Sequence, residues 1–129
     1  MQRPYRLCRK SDFVRLRRHG QRFSHALAVL IVSPQETNPS ATVHLELHSR
    51  FAFSANKRVG NAVRRNRAKR LMREAVRLHL PAIKPERNCS FVAKPSTPDA
   101  RFRDVETAVL HLLRVAKLLA PEERLMAER

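Results

Sequence analysis

A chain of 129 residues is one domain's worth of protein, long enough to bury roughly two-thirds of the surface its unfolded form exposes. Its 43% apolar content is ordinary for a globular protein, but 27 Lys and Arg against 11 Asp and Glu leave a net charge of +16, and self-repulsion on that scale points to a polyanionic partner. Two glycines exclude glycine-rich phosphate loops, two cysteines exclude a disulfide framework or zinc ribbon, and no apolar run nears the ~20 residues of a membrane span.

The opening segment, MQRPYRLCRK, has no signal-peptide apolar core, so a cytoplasmic chain is expected. Residues 1–10 read as a flexible basic arm. Ser11 is a good N-cap, Phe13 and Leu16 fall three apart, and Gly20 is a stop, which predicts a short helix over 12–19 with Arg15, Arg17 and Arg18 exposed. Residues 22–33 are rich in β-formers and end at Pro34, so they read as one strand, followed by a polar loop over 34–40. Residues 41–48 alternate, with Val43, Leu45 and Leu47 on one face and His44, Glu46 and His48 on the other. A further strand is predicted over 50–55.

The main helix is predicted from Asn61 to about Leu80. Ala68, Leu71, Met72, Ala75, Val76 and Leu78 share its apolar face, and Lys69, Arg70, Arg73 and Arg77 share the opposite one with Asn66, Arg67 lying at the edge. Pro81 and Pro85 end it. A strand over 89–94 stops at Pro95. The last helix runs from Phe102 to Leu119, with Phe102, Val105, Val109, Leu112, Leu113 and Ala116 facing the core. Residues 120–129 read as a flexible tail. The order is α-β-β-β-α-β-α, a single α+β domain over 1–129 with helices on a small sheet.

The charge is unevenly placed. Residues 1–30 carry a net +7, 31–49 a net −2, 50–80 a net +9 and 81–129 a net +2. Single-sign blocks are what a phosphate backbone selects for. The residues of an independent catalyst are missing. His44 and His48 sit on a polar strand face and His111 on a polar helix face, without the three or four converging ligands zinc needs. Cys8 has no partner in the sequence, and Cys89 reads as a buried strand residue. The acids never cluster in the basic half, so a two-metal nuclease site lacks its carboxylates. No catalytic or metal-ligating residue is assigned.

Residues 53–74 read FSANKRVGNAVRRNRAKRLMRE. Cations at successive helical turns can track a phosphate backbone, and Asn66 can add a hydrogen bond to a base or ribose. The string resembles the hallmark of the bacterial ribonuclease P protein family, K-[KR]-x-G-x-A-x-x-R-N-R-x-K-R-x-x-R-[EQ]. Lys57, Arg58, Gly60, Ala62, Arg65, Asn66, Arg67, Lys69, Arg70, Arg73 and Glu74 all fit it. KSDFVRLRRHGQRFS and FVAKP resemble other parts of the family, so the likeness covers about residues 5–118.

The resemblance implies a left-handed β-α-β crossover around the motif helix, akin to a ribosomal-protein domain and against the usual right-handed rule. It implies that a catalytic RNA, with magnesium held mainly by that RNA, hydrolyses precursor tRNA to release the 5′ leader. The protein would bind the catalytic RNA and the leader, be inactive alone, and need no membrane and no obligate protein partner. Lys57, Arg58, Asn61, Arg65, Asn66, Arg67, Lys69, Arg70 and Arg73 would contact RNA. Phe13 would lie in a leader cleft between the first helix and the sheet, helped by Arg15, Arg17 and Arg22. The sequence departs from the family at Arg17, where a second aromatic is frequent, at Ile31, where Tyr is frequent, and in the longer 35–49 segment. The alternative is a ribosomal or ribosome-associated structural RNA-binding protein; a self-sufficient nuclease ranks third.

Overall fold

The computed structural model describes residues 5–7, 10–35, 49–84 and 87–119. Cys8, the alternating segment 41–48 and the tail 120–129 lie outside these. In chain order the elements are α1 (Lys10–His19), β1 (Gln21–His25), β2 (Ala28–Pro34), β3 (Arg50–Ser54), α2 (Ala62–Arg77), β4 (Arg87–Ala93) and α3 (Phe102–Val115). Short 3-10 turns occupy Lys57–Val59, Leu80–Ala82 and Thr97–Asp99.

The expected α+β order holds, but its second strand is a different one. Residues 22–33 are not a single strand: they fold as the hairpin β1–β2, with Gln21 opposite Val32 and His25 opposite Ala28. The turn at Ala26–Leu27 carries none of the usual turn residues. It is held instead by His25 Nδ1, which accepts from the Leu27 N–H at 3.1 Å, and by the Thr97 hydroxyl, which donates to the Leu27 carbonyl at 2.6 Å. Helix α1 starts at Lys10, so Ser11 lies inside its first turn rather than capping it.

The strands form one sheet in the order β1-β2-β4-β3. β1, β2 and β4 are antiparallel neighbours, whereas β3 pairs parallel to β4 with Phe51 opposite Cys89 and Phe53 opposite Phe91. Parallel neighbours need a crossover, and α2 supplies it. Leu7 extends the sheet beyond β3 by donating its N–H to the Phe51 carbonyl at 2.8 Å.

One sheet face presents Ala28, Leu30, Val32, Phe51, Cys89, Phe91 and Ala93 to Ala68, Met72, Ala75 and Val76 of α2 and Val105, Val109, Leu112 and Leu113 of α3. The apolar stripes expected of both helices are therefore the core, with one exception. Leu78 is 50% exposed, because α2 ends at Arg77 and Leu78 is its C-cap. Helix α3 stops at Val115, and Lys117 follows in the left-handed region at φ 61°. Helix α1 packs on β2 and β4. Gly20 lets it turn into β1, since a side chain there would strike the Leu16 carbonyl and the Ile31 side chain.

Cys89 is a core residue, and burial pushes its thiol up to about 12. The thiolate is the nucleophile, so alkylation of Cys89 near pH 8 is expected to be negligible in the native protein. It should appear only as denaturant unfolds the chain. Peptide mapping after iodoacetamide treatment checks this, and rapid native labelling at Cys89 would contradict it.

Candidate nucleic-acid interface

The motif segment begins with two asparagine caps. Asn56 Oδ1 accepts from the Arg58 N–H at 3.0 Å and fixes the Lys57–Val59 turn. Asn61 Oδ1 accepts from the Arg64 N–H at 3.0 Å and starts α2, as side chains of this type do for the orphan donors of a first turn. Between them Gly60 sits at φ 137°, a conformation L side chains rarely adopt, and a Cβ there would come 2.7 Å from Arg64 Cδ. Val59 plugs the turn into the core at 2% exposure. Lys57 and Arg58 are consequently exposed cations on a turn anchored at both ends.

Along α2, Asn66, Arg67 and Arg70 are exposed, while Arg65, Lys69 and Arg73 are half-buried. They lie away from the Ala68, Met72, Ala75 and Val76 stripe that docks the helix. The cations are not equivalent. Arg67 Nε donates to the Pro98 carbonyl at 2.7 Å. Arg65 Nε is buried without a hydrogen-bond partner, a costly state unless an outside acceptor completes it. The Arg73 guanidinium lies 5.9 Å from the centre of the Phe53 ring, which in turn stacks on Phe91 at 5.8 Å. The Asn61 oxygen is engaged in the cap, and its Nδ2 group is left to donate elsewhere. Glu74 is held by Arg77, whose Nη2 donates to Oε1 at 2.6 Å; that hydrogen bond lowers the carboxyl's pKa and raises Arg77's.

Around β3, a cleft of about 380 Å³ is lined by Arg6 and Leu7, Phe13 of α1, Phe51, Ala52, Phe53 and Ser54 of β3, Arg73 of α2 and Ser90 of β4. Side chains alternate along a strand, so Ala52, Ser54 and Ser90 point away from the core that Phe51, Cys89 and Phe91 fill. Phe13 brings α1 to this cleft. The arginines expected beside it are not in the lining. Arg17 is exposed near the end of α1, and Arg22 is exposed on β1, at the sheet edge opposite β3; Arg15 is half-buried and also outside the lining. Arg6 and Arg73 bring charge to the cleft instead. Arg6 belongs to the segment expected as a basic arm, and Arg73 to the motif helix. Ile31, a departure from the family pattern, packs toward Gly20 rather than the cleft.

Among the described residues, no group of three His, Cys, Asp or Glu side chains converges as a metal site. None of the described helices is long and apolar enough to cross a membrane.

The model of the ribonuclease P family matches residues 1–117. The chain belongs to the ribonuclease P protein family. The ribonuclease P protein component of Alkaliphilus metalliredigens is 32% identical over 93% of this chain and 100% of that one. That of Chloroflexus aurantiacus is 38% identical over 92% and 82%. Among solved structures, a Staphylococcus aureus RNase P protein superposes with a TM-score of 0.73 at 26% identity, covering 89% of this chain and 97% of that one. The RNase P protein of Thermotoga maritima shares the fold with a TM-score of 0.68 at 21% identity, covering 84% and 94%. This ribonuclease P protein is thus a component of a tRNA-processing ribonucleoprotein and a partner of its RNA.

Proposed function

We propose that this ribonuclease P protein uses two contiguous surfaces, binding the catalytic RNA along Lys57, Arg58, Asn61, Arg65, Asn66, Arg67, Lys69, Arg70 and Arg73 and holding the 5′ leader of precursor tRNA in the Phe13 cleft. The observation that carries the reading is Arg73, which stands on the motif helix and lines the cleft. Cations on the helix supply phosphate contacts. The cleft combines an aromatic ring, two serine hydroxyls and bordering arginines, the parts that hold an unpaired strand by stacking and backbone charge. Arg15, Arg17 and Arg22 then steer the leader from outside the cleft.

Hydrolysis itself belongs to the RNA and to the magnesium ions that it holds, and the protein raises affinity for the substrate. The complex works in the cytoplasm, without an obligate protein partner. Cleavage of precursor tRNA by a bacterial catalytic RNA at low magnesium should be strongly stimulated by this protein, while protein freed of RNA should leave the substrate intact. Specific 5′ cleavage by the protein alone after nuclease treatment would reject this division of labour.

Phe13→Ala is expected to weaken binding of precursor tRNA by about 1–3 kcal/mol, the worth of one stacked base, and to leave mature tRNA binding unchanged. Paired affinity measurements on the two substrates check it. A loss of thermal stability with discrimination intact would make Phe13 a packing residue alone.

A further inference from the structure

The Thr97–Asp99 turn faces the motif helix with two acceptors. Asp99 takes both terminal groups of Arg64 in a bidentate pair, Nη1 to Oδ1 and Nη2 to Oδ2, each at 2.8 Å. The Nε of the same arginine donates to the Val59 carbonyl at 3.1 Å, so Arg64 ties the end of the Lys57–Val59 turn to Asp99. Gly60 leaves the room its stem needs. One residue away, the Pro98 carbonyl fixes Arg67 by its Nε, and the two Nη groups of Arg67 have no hydrogen-bond partner among the described residues.

The turn is itself immobilised. Thr97 is fully buried; its hydroxyl donates to the Leu27 carbonyl at 2.6 Å and accepts from the Lys94 N–H at 2.9 Å. Pro98 is buried beside it. Side-chain hydrogen bonds, a proline and burial thus hold two acceptors against two arginines of the most cationic segment of the chain. An exposed ion pair contributes little to stability, and Arg64 and Asp99 are 40% and 66% exposed, so stability does not account for the arrangement.

We infer that the Thr97–Asp99 turn is a positioning element for the RNA-binding surface, with Asp99 acting through Arg64 on the Lys57–Arg58 turn and Pro98 presenting Arg67 to a phosphate. Arg64 is a strut, bound on all its donor nitrogens, and not an RNA cation. This rests on the proposed RNA-binding role of the motif helix. Preorganised donors gain affinity because their ordering is done before the partner arrives.

The test measures affinity for the catalytic RNA at several salt concentrations, with melting temperatures, for wild type, Asp99→Ala, Asp99→Asn, Arg64→Ala and the Arg64→Ala/Asp99→Ala double variant. Asp99→Ala and Arg64→Ala should each weaken binding roughly threefold to tenfold, and the double variant should be no worse than either, as expected of coupled partners. Asp99→Asn, which keeps an acceptor, should fall between. The log–log salt slope and the melting temperatures should hardly move. A slope that drops by about 0.7–0.9 in Arg64→Ala would make Arg64 a phosphate contact and overturn the inference. Tighter binding with a steeper slope in Asp99→Ala would make Asp99 a mere charge mask and overturn it too, as would variants that bind like wild type. Wild-type protein that fails to bind the RNA would remove the proposed function and this inference together.

Discussion

Replacing Arg70 and Arg73 together by Ala is expected to weaken binding to the catalytic RNA by roughly 10²- to 10⁴-fold, since hydrogen bonds to charged groups are worth about 1.5–3 kcal/mol each. The salt dependence should flatten as well. Each lost phosphate contact removes about 0.7–0.9 from the log–log slope, so the pair should remove roughly 1.4–1.8. Folding should survive, because the helix docks through Ala68, Met72, Ala75 and Val76, and the Arg73 contact with Phe53 is worth only about 0.5–2 kcal/mol. Asn66→Ala is the control: weaker binding at an unchanged slope, since no charge is lost. Titrations at four or five salt concentrations separate the two. A double variant with the wild-type slope would move the RNA surface to the N-terminal basic block.

Phe91→Ala should destabilise the fold by about 3–5 kcal/mol, the usual cost of removing a buried aromatic ring. Phe91 is fully buried, lies opposite Leu30 on one side and Phe53 on the other, and stacks on Phe53 with the rings 10° from parallel. Domains of this size hold only about 5–15 kcal/mol in total, so the variant should have little left to lose. Urea unfolding measures the effect, and Phe91→Leu should recover much of it. A loss below ~1 kcal/mol would mean that the two sheet-side rings do not centre the core.

Helix α2 was legible because its signals are local. An asparagine cap, an apolar stripe at helical spacing and a proline stop lie within the segment itself, and only the last turn, with Leu78, was overread. The β1–β2 hairpin was not legible for the opposite reason. Ala26 and Leu27 have no turn chemistry of their own, and Leu27 is held by Thr97, which lies 70 residues away. The site divides along the same line. The spacing of Phe13 and Leu16 predicts a helix but not which way Phe13 faces, and its expected cleft role rests on the family pattern. Arg6, Ser54 and Ser90 meet Phe13 only through the pairing of the N-terminal segment with β3 and of β3 with β4. Arg22 was lost from the cleft because it lies on β1, at the far edge of the sheet. Arg64 carried no sequence signal that distinguishes a strut from a ligand, since its charge is the same as that of its neighbours.

The crossover has a kinetic side. β3 and β4 are neighbours in space, yet Arg50 and the Asn88 opposite it are separated in the chain by all of α2. Pairings that close long loops pay their entropy before they gain contacts, and they form slowly. Because α2 is itself the link that must swing across the sheet, its cationic side becomes a fixed surface only when this long-range pairing closes. A half-folded chain carries the same arginines but not their spacing, so it can attract nucleic acid without fitting it. Refolding before mixing and refolding in the presence of RNA are therefore different experiments on this protein, and the order of addition governs which species the RNA first meets.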